Sequence, residues 1–157
     1  MKATSRPESE QPEIKNPGEI LSLATIEDLK SLQKRKIYPE GYQFFVRGHS
    51  PVGIYILYAG RVRLCVDGND DKLTIGQALP GDILGLSAVV SGKAYEETAE
   101  AALPCRAGFI TCKDFLRFVD QHAEAAYWIV QLLSDRVTFA FEQLSSTRGW
   151  PCRKAVQ

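Results

Sequence analysis

The stretch from Pro80 to Ala99, PGDILGLSAVVSGKAYEETA, decides how the rest of the chain is read. The turn cluster Leu79-Pro80-Gly81-Asp82 opens it, since Pro presets φ and Gly and Asp tolerate the conformations that turns require. A strand-like run from Glu97 to Ala102 closes it. Between the two, Gly81, Asp82 and Gly85 make a spaced glycine frame ahead of Leu86, Ser87 and Ala88. Glu96 and Glu97 are adjacent, so in a strand they point to opposite faces and cannot act together as an acid and base pair. Ser87-Ala88 and Ser91-Gly92 form no nucleophile elbow.

Short β-branched and aromatic runs lie outward from this stretch: Gln43 to Val46, Ile54 to Tyr58, Arg61 to Val66, Leu73 to Gln77, Glu97 to Ala102 and Cys105 to Ile110. Turn clusters at Gly48-His49-Ser50-Pro51 and Asp67-Gly68-Asn69-Asp70-Asp71 separate them, and such regular spacing predicts a sandwich or barrel. Arg61-Val62-Arg63-Leu64 alternates at period two, so one face of that strand is wet. An antiparallel jelly roll fits these strands.

Helices are expected on both sides of the roll. Glu19 to Gln33 sets Ile20, Leu21, Leu23, Ile26, Leu29 and Leu32 near one face, the pattern of an amphipathic helix or a pair of short ones. Thr111 is placed to cap a helix beginning Cys112-Lys113-Asp114-Phe115, and a long apolar-periodic segment runs from Ala123 to about Ser145. In it Ala126, Val130, Leu133, Val137, Ala140 and Leu144 recur at spacings of four and three, a heptad seam. Trp128, Ile129, Leu132 and Phe139 form a second stripe around the cylinder. A helix apolar on two faces needs two neighbours. The roll supplies one; the other is the matching helix of a second subunit or a further part of the same monomer.

These residues resemble the effector domain of the Crp/Fnr family of bacterial transcription regulators. Tyr38 to Leu64, YPEGYQFFVRGHSPVGIYILYAGRVRL, is similar to that family's first strands, with the Y-P-x-G opening, the R-G-H-S-P turn and the I-L-Y-A-G-R-V knuckle. In the family a strand ends in G-D-x-x-G-E-L, a short helix follows, and R-S-A returns about eleven residues on. Gly81, Asp82 and Gly85 match, and Thr98-Ala99 stands for Ser-Ala. The resemblance implies a mainly β domain with flanking helices: a double-stranded β-helix, or jelly roll, of the cyclic-nucleotide-binding type, carrying a long C-terminal dimerisation helix. It also implies that a Glu holding a ribose hydroxyl and an Arg gripping a cyclic phosphate would stand where Leu86 and Glu97 are. Losing charge-assisted hydrogen bonds costs about 1.5–3 kcal/mol each, and a carboxylate there repels the phosphate. A shift of register by one residue puts Glu96 in the arginine slot, with the same reversal of sign.

The candidate site is therefore a degenerate phosphate-binding cassette of Gly85, Leu86, Ser87, Ala88, Glu97, Thr98 and Ala99. Its expected walls are Ile75 and Ala78 from a neighbouring strand and Arg136 from the long helix, where the family often has a basic residue. Arg136 either meets a ligand or forms a salt bridge to Glu97 or Asp135. The dimer interface expected from the seam is Ala126, Val130, Leu133, Val137, Ala140 and Leu144.

Composition bounds the remaining classes. A chain of 157 residues with 45% hydrophobic content builds one core, and a formal net charge of zero offers nucleic acid no global basic field. Residues 1–17 are polar, contain Pro and read as a disordered arm, residues 18–145 as the domain, and 146–157 as a tail. No apolar leader or long apolar run is present, which points to the cytoplasm and away from a membrane. Cys65, Cys105, Cys112 and Cys152 match no zinc spacing, and no cofactor or metal is expected. Cys65 and Cys105 read as small buried thiols, with a redox role conceivable only for Cys112 or Cys152. A metal-dependent cupin would need clustered histidines, and the chain has only His49 in a turn and His122 at a helix junction, so catalysis is not expected. Gly149 and Pro151 end the long helix, and the residues after them are too few for the family's helix-turn-helix. Arg148, Arg153 and Lys154 around Trp150 read as a solvated end, because three charges neutralise few phosphates. The partners considered are a second copy of the chain, a small effector other than a cyclic nucleotide, and a full-length regulator silenced by heterodimerisation.

Overall fold

The computed structural model describes residues 20–146, with the side chain of Ser146 outside the description. The expected arm and the tail with Arg148, Trp150, Cys152, Arg153 and Lys154 lie outside the described residues. In chain order the elements are α1 (Leu23–Ser31), β1 (Lys34–Tyr38), β2 (Gln43–Phe45), β3 (Gly53–Ala59), β4 (Val62–Asp67), β5 (Lys72–Ala78), β6 (Ile83–Leu84), α2 (Leu86–Ser91), β7 (Thr98–Ala101), β8 (Cys105–Thr111), α3 (Cys112–Gln121) and α4 (Ala123–Ser146).

The strands form two four-stranded sheets, ordered β1-β8-β3-β6 and β2-β7-β4-β5, with every pairing antiparallel. The mainly β jelly roll with flanking helices is thus present. Strand β3 shows how the roll and the helices share one sheet. Tyr55 and Leu57 point between the sheets, into a core with Phe44, Phe45, Val62, Tyr95 and Ala99. Ile54 and Ile56 point the other way, into a second core built with Leu29, Phe115, Phe118 and Trp128 of the helices. A strand buried on both faces reads as a continuous apolar run, as Gly53 to Ala59 does.

Local chemistry sets the helix ends. The Thr111 hydroxyl accepts the Asp114 N–H at 3.2 Å and caps α3 where the sequence placed the cap. Within the expected Glu19 to Gln33, helix α1 begins at Leu23 because Ser22 caps it, accepting the Thr25 N–H, and Ile20 ahead of the cap is helical as well. His122 ends α3, with Nε2 3.1 Å from Asp28 and Nδ1 3.2 Å from Thr25 Oγ1. Glu124 accepts from the hydroxyls of Thr25 and Ser22, and these bonds, Thr25's foremost, hold its carboxyl below the usual range. The start of α4 is tied to α1 in this way.

The second apolar stripe of α4 is not buried along its whole length as expected: Trp128 and Ile129 are buried, whereas Phe139 is 58% exposed. The body covers α4 only as far as Arg136, and every described residue from 137 to 145 is exposed. The run Lys34 to Tyr38, outside the expected strands, is strand β1, whose first four residues are exposed.

Candidate functional site

The stretch from Pro80 to Ala99 folds as β6, α2 and the return into β7. Gly85 begins the helix at φ +81, a left-handed conformation, and a Cβ there would stand 3.1 Å from the Tyr95 ring and 3.2 Å from the Gly53 carbonyl oxygen. The backbone angle calls for glycine, and the close approach would crowd any side chain against its neighbours. Helix α2 straddles the two cores. Leu86 and Val89 enter the helical core, and Ala88 enters the roll. The Ser87 hydroxyl donates to Glu96 at 3.2 Å on the exposed side.

Tyr95, absent from the expected site, fastens this segment. Its hydroxyl donates to the Gly53 carbonyl at 3.0 Å and accepts the N–H groups of Val52 at 3.0 Å and Gly53 at 3.4 Å. One proton and two lone pairs are thereby used in full. The ring stacks on Phe45 at 4.1 Å with an interplanar angle of 9°. Its backbone N–H donates to the His49 carbonyl, and its carbonyl accepts from Gly48. The only sequence signal was an aromatic residue standing alone in a polar run.

Beyond Tyr95, Glu97 is half-buried, while Thr98 and Ala99 are buried. Thr98 Oγ1 accepts the Arg47 N–H at 3.0 Å, so this hydroxyl serves the backbone of the turn after β2. Burial raises the Glu97 carboxyl above its ordinary range; Arg136 pulls it down and Glu96 pushes it up, both less strongly. Arg136 reaches back from α4 and donates from Nη2 to the Ile83 carbonyl at 3.0 Å. Among the described residues no ion pair within 4.0 Å joins Arg136 to Glu97 or to Asp135. Glu97, Arg136 and Ile83 therefore belong to one locality, with the guanidinium bonded to a carbonyl and acting on the carboxylate through space.

The expected walls separate. Ala78 is buried in the roll, but Ile75 is 54% exposed on β5. Of the expected interface, Ala126, Val130, Val137, Ala140 and Leu144 are exposed, and Leu133 packs partly against the helical core. Cys65 and Cys105 are buried. Burial pushes up the thiols of Cys105 and Cys112, and Cys112 donates to the Pro51 carbonyl at 3.2 Å, so neither has the thiolate character of a redox centre. Among the described residues no cluster of His, Cys, Asp or Glu could hold a metal ion, and no helix is long and apolar enough to cross a membrane.

The family described as the cyclic nucleotide-binding domain matches residues 35–122, more than half of the chain. The chain belongs to that family. The match begins in β1 and ends at the junction of α3 and α4, so it contains both sheets of the cyclic nucleotide-binding domain and its cassette. Solved structures agree on the fold. The catabolite activator protein of Thermus thermophilus is 21% identical with a TM-score of 0.70, over 80% of this chain and 59% of that one. A cyclic nucleotide-binding domain from Methylobacillus flagellatus is 19% identical with a TM-score of 0.74, over 82% of this chain and 76% of that one. The c-di-GMP responsive global regulator CLP of Xanthomonas campestris is 19% identical with a TM-score of 0.67, over 79% of this chain and 63% of that one. Among curated proteins no sequence matches. The chain spans less than two thirds of the Thermus and Xanthomonas proteins.

Proposed function

We propose that this cyclic nucleotide-binding domain is the effector-sensing and dimerisation part of a Crp/Fnr-like transcription regulator, non-enzymatic, and that it does not take cyclic AMP or cyclic GMP in the family's manner. The observation that carries the reading is the cassette. A left-handed Gly85 leads into the short helix, Leu86 belongs to the helical core, and Glu97 is a half-buried carboxylate; on the reading proposed, that carboxylate takes the place of the phosphate's arginine. An anion brought to that place loses water and meets another anion. The Xanthomonas neighbour is named for a different nucleotide, c-di-GMP, which supports an effector of another kind on the same fold. An effector would act by shifting the population of α4 arrangements.

A second reading has its own support. Tyr95 and Phe45 stack beside Gly85 and occupy the roll with the protein's own side chains. The domain is then a dimerisation module without a ligand, pairing with itself or with a full-length regulator.

Thermal unfolding in the presence of cyclic AMP or cyclic GMP tests the main reading. A ligand at 100 times its dissociation constant would stabilise the native state by about 2.7 kcal/mol. The midpoint is expected to stay unchanged at millimolar nucleotide, and a rise of several degrees would overturn the reading.

A further inference from the structure

We propose that the chain's own residues 8–13 dock along the outer edge of strand β1, their carboxylates set against Lys34, Arg35, Lys36 and Arg106.

Strand β1 ends its sheet and pairs with β8 on one side only. Lys34, Arg35, Lys36 and Ile37 are all exposed, as is Arg106. The ladder places Arg106 directly opposite Ile37. Alternation then sets Arg35, Ile37 and Arg106 on one face and Lys34 and Lys36 on the other, so cations line both sides of the edge. Arg35, Lys36, Ile37 and Arg106 line an open groove of about 480 Å³. Arg35 is held in place there. Its guanidinium lies 4.8 Å over the Tyr58 ring, whose hydroxyl donates to Gln33 at 2.5 Å. Among the described residues the ion pairs are Arg47–Asp67, Lys72–Glu100 and His122–Asp28, and none of them uses the four cations of this edge.

Four cations with no counter-charge, beside an unpaired strand edge, fit an acidic segment of extended chain. A second copy of the edge is a poor occupant, because it would set these cations against their own kind, which is how charged edges avoid pairing. Charge and chain length choose residues 8–13 instead. This run, ESEQPE, holds three carboxylates and no cation, with Arg6 before it and Lys15 after it. Glu13 stands seven residues ahead of Ile20, the first described residue, an extended span of about 23–25 Å. Between Ile20 and β1 lies helix α1, nine residues and so about 13.5 Å long, with a few residues at either end. The acidic run therefore reaches the edge. Exposed ion pairs are weak one by one, but a tethered segment is presented at an effective concentration in the millimolar range, where weak contacts suffice.

A zero-length carbodiimide, which joins a carboxylate to an amine in contact with it, tests this on the full chain, with linked peptides identified by mass spectrometry. Glu8, Glu10 or Glu13 is expected to link to Lys34 or Lys36 about three-fold or more in excess of links to the exposed Lys93 and Lys113. Arg35→Gln combined with Arg106→Gln, circular dichroism confirming the fold, should lower that yield about three-fold although both lysines remain. Salt at 1 M should do the same to the unaltered chain, since the screening length there is about 3 Å. No preference among the exposed lysines, or a yield that neither the substitutions nor salt changes, would overturn the proposal. In a mixture of heavy- and light-nitrogen chains the links should stay within one isotope. Links between isotopes would put the segment on a second copy and overturn it too.

Discussion

Glu97 is where the chemistry of single residues decides most. The loss of water around its carboxylate outweighs the attraction of Arg136, so its folded-state pKa lies above the ordinary 4.5. The folded protein therefore holds this proton more tightly than the unfolded chain does. The associated stability is complete below the ordinary value and is lost as pH rises through the folded-state value. Glu97→Gln should shift the urea midpoint upward relative to wild type at pH 7, with the difference vanishing near pH 4, as chemical denaturation at the two pH values will show. A direct ion pair with Arg136, conceivable from the sequence, would give the opposite sign at pH 7. A carboxylate at this position is legible in the sequence, but the balance of forces on it is not, because the guanidinium's preference for the Ile83 carbonyl arises only in the fold. Leu86 teaches the same lesson. Aligned with a ligand-binding Glu, it reads as a lost contact, but it is a core residue, and Leu86→Glu would bury a carboxylate rather than restore a site. Tyr95 was invisible because its partners at Val52 and Gly53 lie more than forty residues earlier.

Elements were legible where a single force wrote them. The expected runs at Ile54 to Tyr58, Leu73 to Gln77 and Cys105 to Ile110 fall within β3, β5 and β8, because β-branched and aromatic residues between turn clusters have few other uses. Strand β1 escaped because its cations guard an exposed edge, leaving Tyr38 as its one buried residue. Strand β6, Ile83–Leu84, is too short to carry a period. Helix α4 was legible in extent and ambiguous in partner, since its two stripes look alike on paper. Trp128 and Ile129 meet the body, whereas Val130 and Val137 remain exposed. Val137→Glu should separate the proposed dimer, because each copy would bring a charge into the seam. Sedimentation of this variant is expected to show a monomer, with far-ultraviolet circular dichroism unchanged because Val137 is 55% exposed and belongs to neither core. A Val137→Glu variant that still dimerises would place the interface elsewhere.

At the scale of the whole molecule, the roll and the helices are coupled through β3, which contributes to both cores, and through α2, which does the same from the cassette. Arg136 adds a polar link from α4 to the end of β6. A change at the cassette thus has a direct structural route to the long helix, the property an effector domain needs. The proposed reading turns on the cassette at the head of that route: Gly85 is left-handed, Leu86 belongs to the helical core, and Glu97 is a half-buried carboxylate. Calorimetric titration of the full chain with cyclic AMP, and separately with cyclic GMP, tests that claim most directly. The account predicts no saturable heat at micromolar nucleotide. One-to-one binding with a dissociation constant of about 10 μM or tighter, roughly −7 kcal/mol, would contradict it.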